Sequence, residues 1–337
     1  MSKVLVTGGA GFIGSHTVVE LVNAGFTPLI IDDFSNSDER VIAGMEKILG
    51  SSVNLHRENC ADVEALRKIF TKEKISSVIH FAASKAVGES VQQPLKYYRN
   101  NLLSTLALLE VMKEFEVTQL VFSSSCTVYG QPDQLPVTEN TPWKKANSPY
   151  GYTKQVSEQM IADFFHSSKN FSSTILRYFN PIGAHPSGFI GELPFGIPNN
   201  LVPFITQTAA GLRNELVVYG NDYNTPDGSC IRDFIHVVDL ARAHVSALRW
   251  IEKNPARCEV FNLGQGHGHS VLEVINSFIE TTGQKFSWRI GARREGDVEK
   301  IWADASKANQ ALGWKTEMSL KDALRDAWAW QENLSVN

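Results

Sequence analysis

The stretch Val4–His16, VLVTGGAGFIGSH, leaves the backbone few paths. A short run of strand-favouring residues, Lys3–Thr7, reaches a cluster of glycines and passes at once into a helix-period segment over about 14 to 24. Two glycine spacings hold together, Gly9-x-Gly11-x-x-Gly14 and Gly8, Gly11 and Gly14 three apart. Such a turn is tight, its backbone is bare, and the helix it opens offers free N–H groups and the positive end of its dipole. A pyrophosphate suits that arrangement. A second strand, predicted over 28–32, then ends on Asp32, 18 residues after Gly14. A carboxylate there accepts hydrogen bonds from ribose hydroxyls and repels a 2′-phosphate, so NAD is expected in preference to NADP. Asp33 strengthens the expectation, because no Arg or Lys precedes Arg40 in the loop that follows.

The same alternation continues through the first half of the chain. Further strands are predicted over 53–56, 77–82, 119–124 and 173–177, with helices near 62 to 73, 95 to 115 and 150 to 168. This is the pattern of an α/β fold, a Rossmann-type doubly wound parallel sheet, in which ligands gather at the carboxyl ends of the strands. After Tyr178 the segment NPIGAHPSGFIGELPFGIPNN is too rich in Gly, Pro and Asn for regular structure. A boundary is expected near 180, with residues 1–180 binding NAD and 181–337 forming a smaller mixed α/β lobe that binds substrate, the segment about 233–255 packing back on the first domain. In that lobe helices are predicted near 200 to 212, 237 to 252, 270 to 282, 304 to 312 and 319 to 332, and strands over 216–219 and 259–263.

Composition narrows the class of ligand. With 43% hydrophobic and 20% charged residues and a net charge of −4, the chain carries no basic stripe for nucleic acid. No apolar run approaches the roughly 18 residues that span a bilayer, and MSKVLVTGG is a poor leader, so no membrane and a cytoplasmic setting are expected. Cys60, Cys126, Cys230 and Cys258 stand far apart without a CxxC pair, which indicates neither a disulfide framework nor zinc. His267 and His269 read as exposed residues of a glycine turn, with no third metal ligand nearby, so no metal is expected.

The chemistry is carried by SPYGYTK. Ser148 can cap a helix and Pro149 suits its first position, which puts Tyr150 in the first turn and Lys154 at i+4 on the same face. A free tyrosine titrates near 10. An adjacent ammonium, the helix amino terminus and an oxidised nicotinamide all favour the phenolate, giving a base able to take a hydroxyl proton while hydride leaves the same carbon. The fifth strand runs into FSSSCTVYG, so that Ser123, Ser124 or Ser125 could share that proton.

The set TGGAGFIG, HFAA at 80 to 83, FSSSCTVYG and YGYTK resembles the extended short-chain dehydrogenase/reductase family. Within it, SKAVGESVQQPLKYYRNN, LRYFNPIGAHPSGFIGE, GIPNNL, GNDYNTPDGSCIRDFIHVVDLARAH and REGD...WADASKA are similar to segments of the UDP-hexose 4-epimerases, over nearly the whole chain. The resemblance implies Tyr150 as base, Lys154 on the nicotinamide ribose, and Ser125 as the hydroxyl partner. It also implies cofactor contacts from Gly8, Gly11, Phe12, Ile13, Gly14, Asp32, Asp33, Asn36, Ser37, Asn59, Cys60, Phe81, Ala82, Ala83, Lys85, Asn100, Ser123 and Tyr178. A UDP-sugar would be held by Ser125, Thr127, Tyr150, Asn180, Asn200, Leu201, Tyr219, Arg232, Arg294 and Asp297, the two arginines matching a pyrophosphate. The implied reaction is reversible inversion at C4 between UDP-glucose and UDP-galactose through a 4-keto sugar, with NAD tightly bound, in a homodimer joined through the helices at about 95 to 115 and 150 to 168.

The chain departs from the pattern at Asn59, where an aspartate is more usual, and at Phe189, where a polar residue is. Ile301, just before WAD, lines the sugar's 2-position in that family, and its intermediate bulk predicts weak turnover of UDP-N-acetylhexosamines. Other readings are a nucleotide-sugar dehydratase, which the sequence Ser125-Cys126-Thr127 deprives of its acid pair, a redox-sensing NAD-binding regulator, and a dehydrogenase that releases NADH.

Overall fold

The computed structural model describes residues 2–294 and 297–336. The first half of the chain contributes β1 (Lys3–Thr7), α1 (Phe12–Asn23), β2 (Thr27–Ile31), α2 (Arg40–Leu49), β3 (Asn54–His56), α3 (Val63–Lys72), β4 (Ile75–His80), α4 (Val87–Gln92), α5 (Pro94–Tyr97), α6 (Leu103–Glu114), β5 (Gln119–Ser125), α7 (Pro149–Ser167) and β6 (Ser172–Tyr178). The second half adds β7 (Asn180–Ile182), α8 (Leu201–Ala209), β8 (Leu216–Tyr219), β9 (Ile231–Arg232), β10 (Phe234–His236), α9 (Val237–Lys253), β11 (Cys258–Leu263) and β12 (His269–Ser270). It closes with α10 (Val271–Thr282), β13 (Trp288–Gly291), β14 (Lys300–Ile301), α11 (Ser306–Leu312) and α12 (Leu320–Val336).

Seven strands form one parallel sheet in the order β11-β6-β5-β4-β1-β2-β3. Their near-continuous apolar runs follow from burial on both faces. Val4, Val6 and Ile30 point into a core shared with α1, α2 and α9, while Leu5, Leu29 and Leu120 point into one shared with α3, α6 and α7. The chain returns to this sheet over a longer stretch than 233–255, because α9 packs on the sheet's α1 face and β11 then pairs with β6 as the edge strand.

The stretch predicted as one helix over 95 to 115 is divided. A π-helical turn, Tyr98–Leu102, separates α5 from α6. It turns Asn101 inward, where its side-chain amide donates to the Ser84 carbonyl and to the Thr153 hydroxyl, both at 3.0 Å. The hydrogen bonds that this one buried amide makes account for the interruption, as is common for such bulges.

The remaining elements, apart from α11, whose Ala308 packs into the core under the large sheet, form a smaller lobe. It holds the parallel pairs β7–β10 and β8–β13 and the three-stranded β12-β9-β14, covered by α8, α10 and α12 around Ile205, Phe234, Val274, Phe278 and Leu324. A separate cluster of Val128, Tyr129, Val137, Phe179, Ile301 and Ala303 joins the lobe to the carboxyl edge of the sheet.

Candidate active site

In the sheet the strands numbered after β1 run outward to one side and those after β4 to the other, so a cleft opens beyond the carboxyl ends of β1 and β4. The glycine loop occupies it. Gly8 has φ +70°, a left-handed value that favours glycine, and its N–H donates to the Ile31 carbonyl at 2.7 Å. A Cβ on Gly14 would lie 2.3 Å from the Gly8 carbonyl oxygen, and one on Gly8 would lie 2.8 Å from the Ala82 nitrogen. Gly11 caps α1 without any side-chain hydrogen bond. The result is a bare backbone cradle at a helix amino terminus, which fits a dinucleotide pyrophosphate.

Asp32 closes one end of the cradle. Its Oδ2 accepts from the Ala10 N–H at 2.9 Å, and Oδ1 accepts from the Phe34 N–H at 3.0 Å and from the Ser37 hydroxyl at 2.7 Å. A carboxylate has about four acceptor positions, so one is left on Oδ2 for a ribose hydroxyl. Burial raises the Asp32 carboxyl above its ordinary value, opposed by the Ser37 hydroxyl and the two amides. Beside it Asp33 accepts from the Ser35 N–H and the Asn59 amide, both at 2.9 Å, so Asn59 is held close to the end of β2. Asn36 is exposed there. The Cys60 side chain turns away into the core, and burial pushes its thiol up to about 12. Only the backbone of Cys60 is left to meet a ligand.

At the other end the Ser148 hydroxyl accepts from the Gly151 N–H at 3.1 Å and Pro149 opens α7, as the sequence pattern predicts. Tyr150 and Lys154 follow on one face, 9% and 4% exposed. Lys154 Nζ donates to the Ser123 carbonyl at 2.7 Å and stands 5.9 Å from the Tyr150 ring centre. Burial lowers its ammonium to about 8, and the Glu158 carboxylate opposes the fall. Burial also pushes the Tyr150 phenol up to about 12, against a downward pull from the Ser125 hydroxyl. The expectation of a depressed phenol is therefore not met by the protein's own groups, because loss of hydration outweighs them. Ser125 accepts from the Thr127 N–H at 3.2 Å and from its hydroxyl at 3.0 Å, while Ser123 shares a hydrogen bond with the Tyr178 hydroxyl. Phe12, Ile13, Phe81, Ala82 and Ala83 lie half-buried along the same edge.

Across the cleft Asp297 accepts from Arg294 Nη2 at 2.7 Å and lies 3.6 Å from Arg232 Nη2, so one carboxylate gathers both guanidinium groups. The Arg294 guanidinium stands 5.7 Å from the Tyr219 ring centre. Glu295 and Gly296 of the REGD segment lie outside the described residues. Asn180 begins β7, Asn200 precedes α8 as its cap residue and Leu201 begins it, and Ile301, on β14 beside Arg232, is buried in the cluster that joins the lobes.

Two carboxylates that sequence reasoning missed organise the site. Glu192 Oε1 accepts from Lys85 Nζ at 2.9 Å and from the Asn200 amide at 2.7 Å, linking a residue expected at the cofactor to one expected at the substrate. Asp233, fully buried, accepts from the N–H groups of Gln265, Gly266 and Ala303 and so fixes the strand that carries Arg232. Asn100 donates to the Ser84 hydroxyl at 3.1 Å, near the loop of Lys85. His267 and His269 lie with ring centres 4.9 Å apart. Among the described residues no group of three or more His, Cys, Asp or Glu is placed to hold a metal ion, and no helix is long and apolar enough to cross a membrane.

A family model described as GDP-mannose 4,6 dehydratase matches residues 5–327. A UDP-glucose 4-epimerase of Dictyostelium discoideum is 50% identical over 98% of this chain and 95% of its own length. The chain belongs to the UDP-glucose 4-epimerase family. Among solved structures, a UDP-glucose 4-epimerase from Stenotrophomonas maltophila with bound NAD and formylated UDP-arabinopyranose superposes with a TM-score of 0.97 at 46% identity, covering 100% of this chain and 99% of that one. Another family member, from Bifidobacterium longum in complex with NAD+ and UDP, gives 0.95 at 46% identity over 98% of both chains.

Proposed function

We propose that this chain interconverts UDP-glucose and UDP-galactose by inversion at C4 through a 4-keto sugar, with NAD tightly held throughout. The observation that carries the proposal is the convergence of Tyr150, Lys154 and Ser125 at the sheet edge, between a glycine cradle and a pair of arginines. Gly8, Gly11, Phe12, Ile13 and Gly14 would line the pyrophosphate. Asp32 would take the adenosine ribose, with Asp33, Asn36, Ser37, Asn59 and the Cys60 backbone around it. Phe81, Ala82, Ala83, Lys85, Asn100, Ser123, Lys154 and Tyr178 would surround the nicotinamide half. NAD, when bound, supplies uptake and return of hydride at the sugar carbon and, in its oxidised form, a positive charge that favours the phenolate.

Tyr150 takes the 4-hydroxyl proton and later returns it, and Ser125 steadies that oxygen. Lys154 is buried and donates to a carbonyl, and its ammonium, one turn from Tyr150 on the same face, favours the phenolate. Arg232 and Arg294 hold the substrate diphosphate, with Asn180, Asn200, Leu201, Tyr219 and Asp297 around the nucleotide and Thr127 near the sugar. A keto sugar held only by its nucleotide can turn and present its other face, which is what inversion requires. Net dehydration lacks its acid pair, because Cys126 and Thr127 follow Ser125 where the pair would be.

A homodimer in the cytoplasm completes the proposal. Leu103 and Leu106 on α6, Tyr152 on α7, and Val91 and Leu95 just before them are exposed apolar side chains on neighbouring elements, a face that a second copy would cover. The test is to supply purified protein with UDP-galactose and no added cofactor. Formation of UDP-glucose supports the reading; dependence on stoichiometric added NAD, with NADH accumulating, would overturn it.

A further inference from the structure

On α7, Glu158 follows Tyr150 and Lys154 at the next i+4 step and lies on the same buried stripe. It forms an ion pair with Arg177 of β6, Nη2 to Oε2 at 2.6 Å and Nε to Oε1 at 3.0 Å, in which the two side chains are only 2% and 5% exposed. Glu158 also accepts from the hydroxyl of Ser124, the residue between Ser123, whose carbonyl holds Lys154, and Ser125. Arg177 Nη1 in turn donates to the Tyr129 hydroxyl at 3.0 Å, in the turn that begins right after Ser125, and the Tyr129 hydroxyl donates to Asn262 Oδ1 at 2.7 Å. One ion pair thus joins the helix of Tyr150 and Lys154, the strand and turn of Ser125 and Thr127, and the strand of Tyr178.

We propose that Glu158, seated by Arg177, is a positioning residue for the proton-transfer pair: it keeps Lys154 charged and holds the Ser123–Ser125 segment in register with Tyr150. The inference rests on the functional reading above for its consequence in turnover, and on the shared buried stripe of α7 and the charge of Glu158 for its effect on Lys154. The charged and titratable groups around Lys154 are Tyr150 and Glu158 from its own helix, His80 from β4, and Tyr178 and Arg177 from β6. His80 lies at the end of β4 with its imidazole lowered by burial to about 3, and burial raises the phenols of both tyrosines. Among the described residues Glu158 is the carboxylate that opposes the effect of burial on the Lys154 ammonium, one helical turn away. Without it the buried ammonium has a carbonyl and no carboxylate to offset its lost hydration.

Glu158→Gln tests this, since the amide keeps an acceptor for Ser124 and removes the charge. Breaking a buried pair on one side can prevent folding, so Glu158→Gln with Arg177→Met is made alongside to leave no unpaired guanidinium. Lys154 is followed by the 13C shift of its ε-carbon in lysine-labelled protein, a readout that does not require turnover. Its midpoint should fall by about one pH unit in Glu158→Gln, the effect of losing one nearby opposite charge, and by less in the double variant, which also removes the Arg177 charge. The alkaline limb of kcat/KM for UDP-galactose should move down with it. A Lys154 midpoint unmoved in a folded variant would overturn the proposal, and so would failure of both variants to fold, which would make the pair a folding requirement. Wild-type protein without epimerase activity would count against the functional reading and leave the Lys154 titration as the test of this one.

Discussion

Replacing Ile301 should change which sugars are turned over, by an amount that its surroundings set. The side chain is 4% exposed, packed with Val128, Tyr129, Val137, Phe179 and Ala303 in the cluster that joins the lobe to the sheet edge. Ile301→Gly removes a whole buried aliphatic side chain. Large-to-small changes of this kind cost about 2 to 5 kcal/mol, and glycine in a strand adds roughly 0.5 to 1 kcal/mol. The protein should therefore lose several degrees of Tm while the wall of the pocket recedes. An N-acetyl group that overlaps the wild-type wall by a few atoms is disfavoured by about 1 to 3 kcal/mol, or roughly 10- to 100-fold. The assay is the ratio of kcat/KM for UDP-N-acetylglucosamine to that for UDP-glucose. It should rise by up to that factor in Ile301→Gly and fall below the wild-type value in Ile301→Tyr, whose ring fills the same space. Because both substrates see the same loss of stability, a ratio indifferent to residue 301 would refute the reasoning and place the wall elsewhere.

Three further outcomes are expected. Tyr150→Phe should lower kcat by about 100-fold or more while bound NAD, measured after denaturation, stays near wild type, since the hydroxyl moves the proton and the ring does the packing. Asp32→Ala should narrow the preference for NAD over NADP in a binding titration; it also strips the Ala10, Phe34 and Ser37 donors of their acceptor, at about 1 to 3 kcal/mol of stability for each one left unsatisfied. Stability should fall on acidification. His16, His80 and His244 are buried with imidazoles lowered to about 3, 3 and 4 by burial, so the unfolded chain takes up protons below about 6.5 that the folded chain refuses. Folding free energy from denaturant titrations should decline between pH 6.5 and 4 by about 1.4 kcal/mol per pH unit for each histidine, and His244→Gln should make the decline shallower.

The parts of the site that were legible in sequence are those written in local chemistry. Gly8, Gly11 and Gly14 announce a turn that only bare backbone can make, Asp32 falls at a fixed distance beyond it, and Ser148 and Pro149 place Tyr150 and Lys154 by helix geometry alone. What was not legible depends on residues far apart in the chain. Glu158 reads as one more charge on an amphipathic helix until Arg177 arrives from the next strand. Glu192 sits in a Gly- and Pro-rich loop, yet it bonds to Lys85, 107 residues away. The two- and three-residue strands β7, β9, β10, β12 and β14 are too short to show a period of two. The burial that raises the Tyr150 phenol was not legible either, because neighbours can be guessed from spacing, whereas burial is a property of the whole fold.

The central claim is that the carbon inverted is oxidised and reduced again within one closed site, and isotope retention tests it most directly. UDP-galactose carrying deuterium at C4 should give UDP-glucose that keeps the deuterium at C4, with none in the solvent and no free NADH, because the atom removed is the atom returned. Deuterium lost to water, or appearing in NADH released from the protein, would contradict the account.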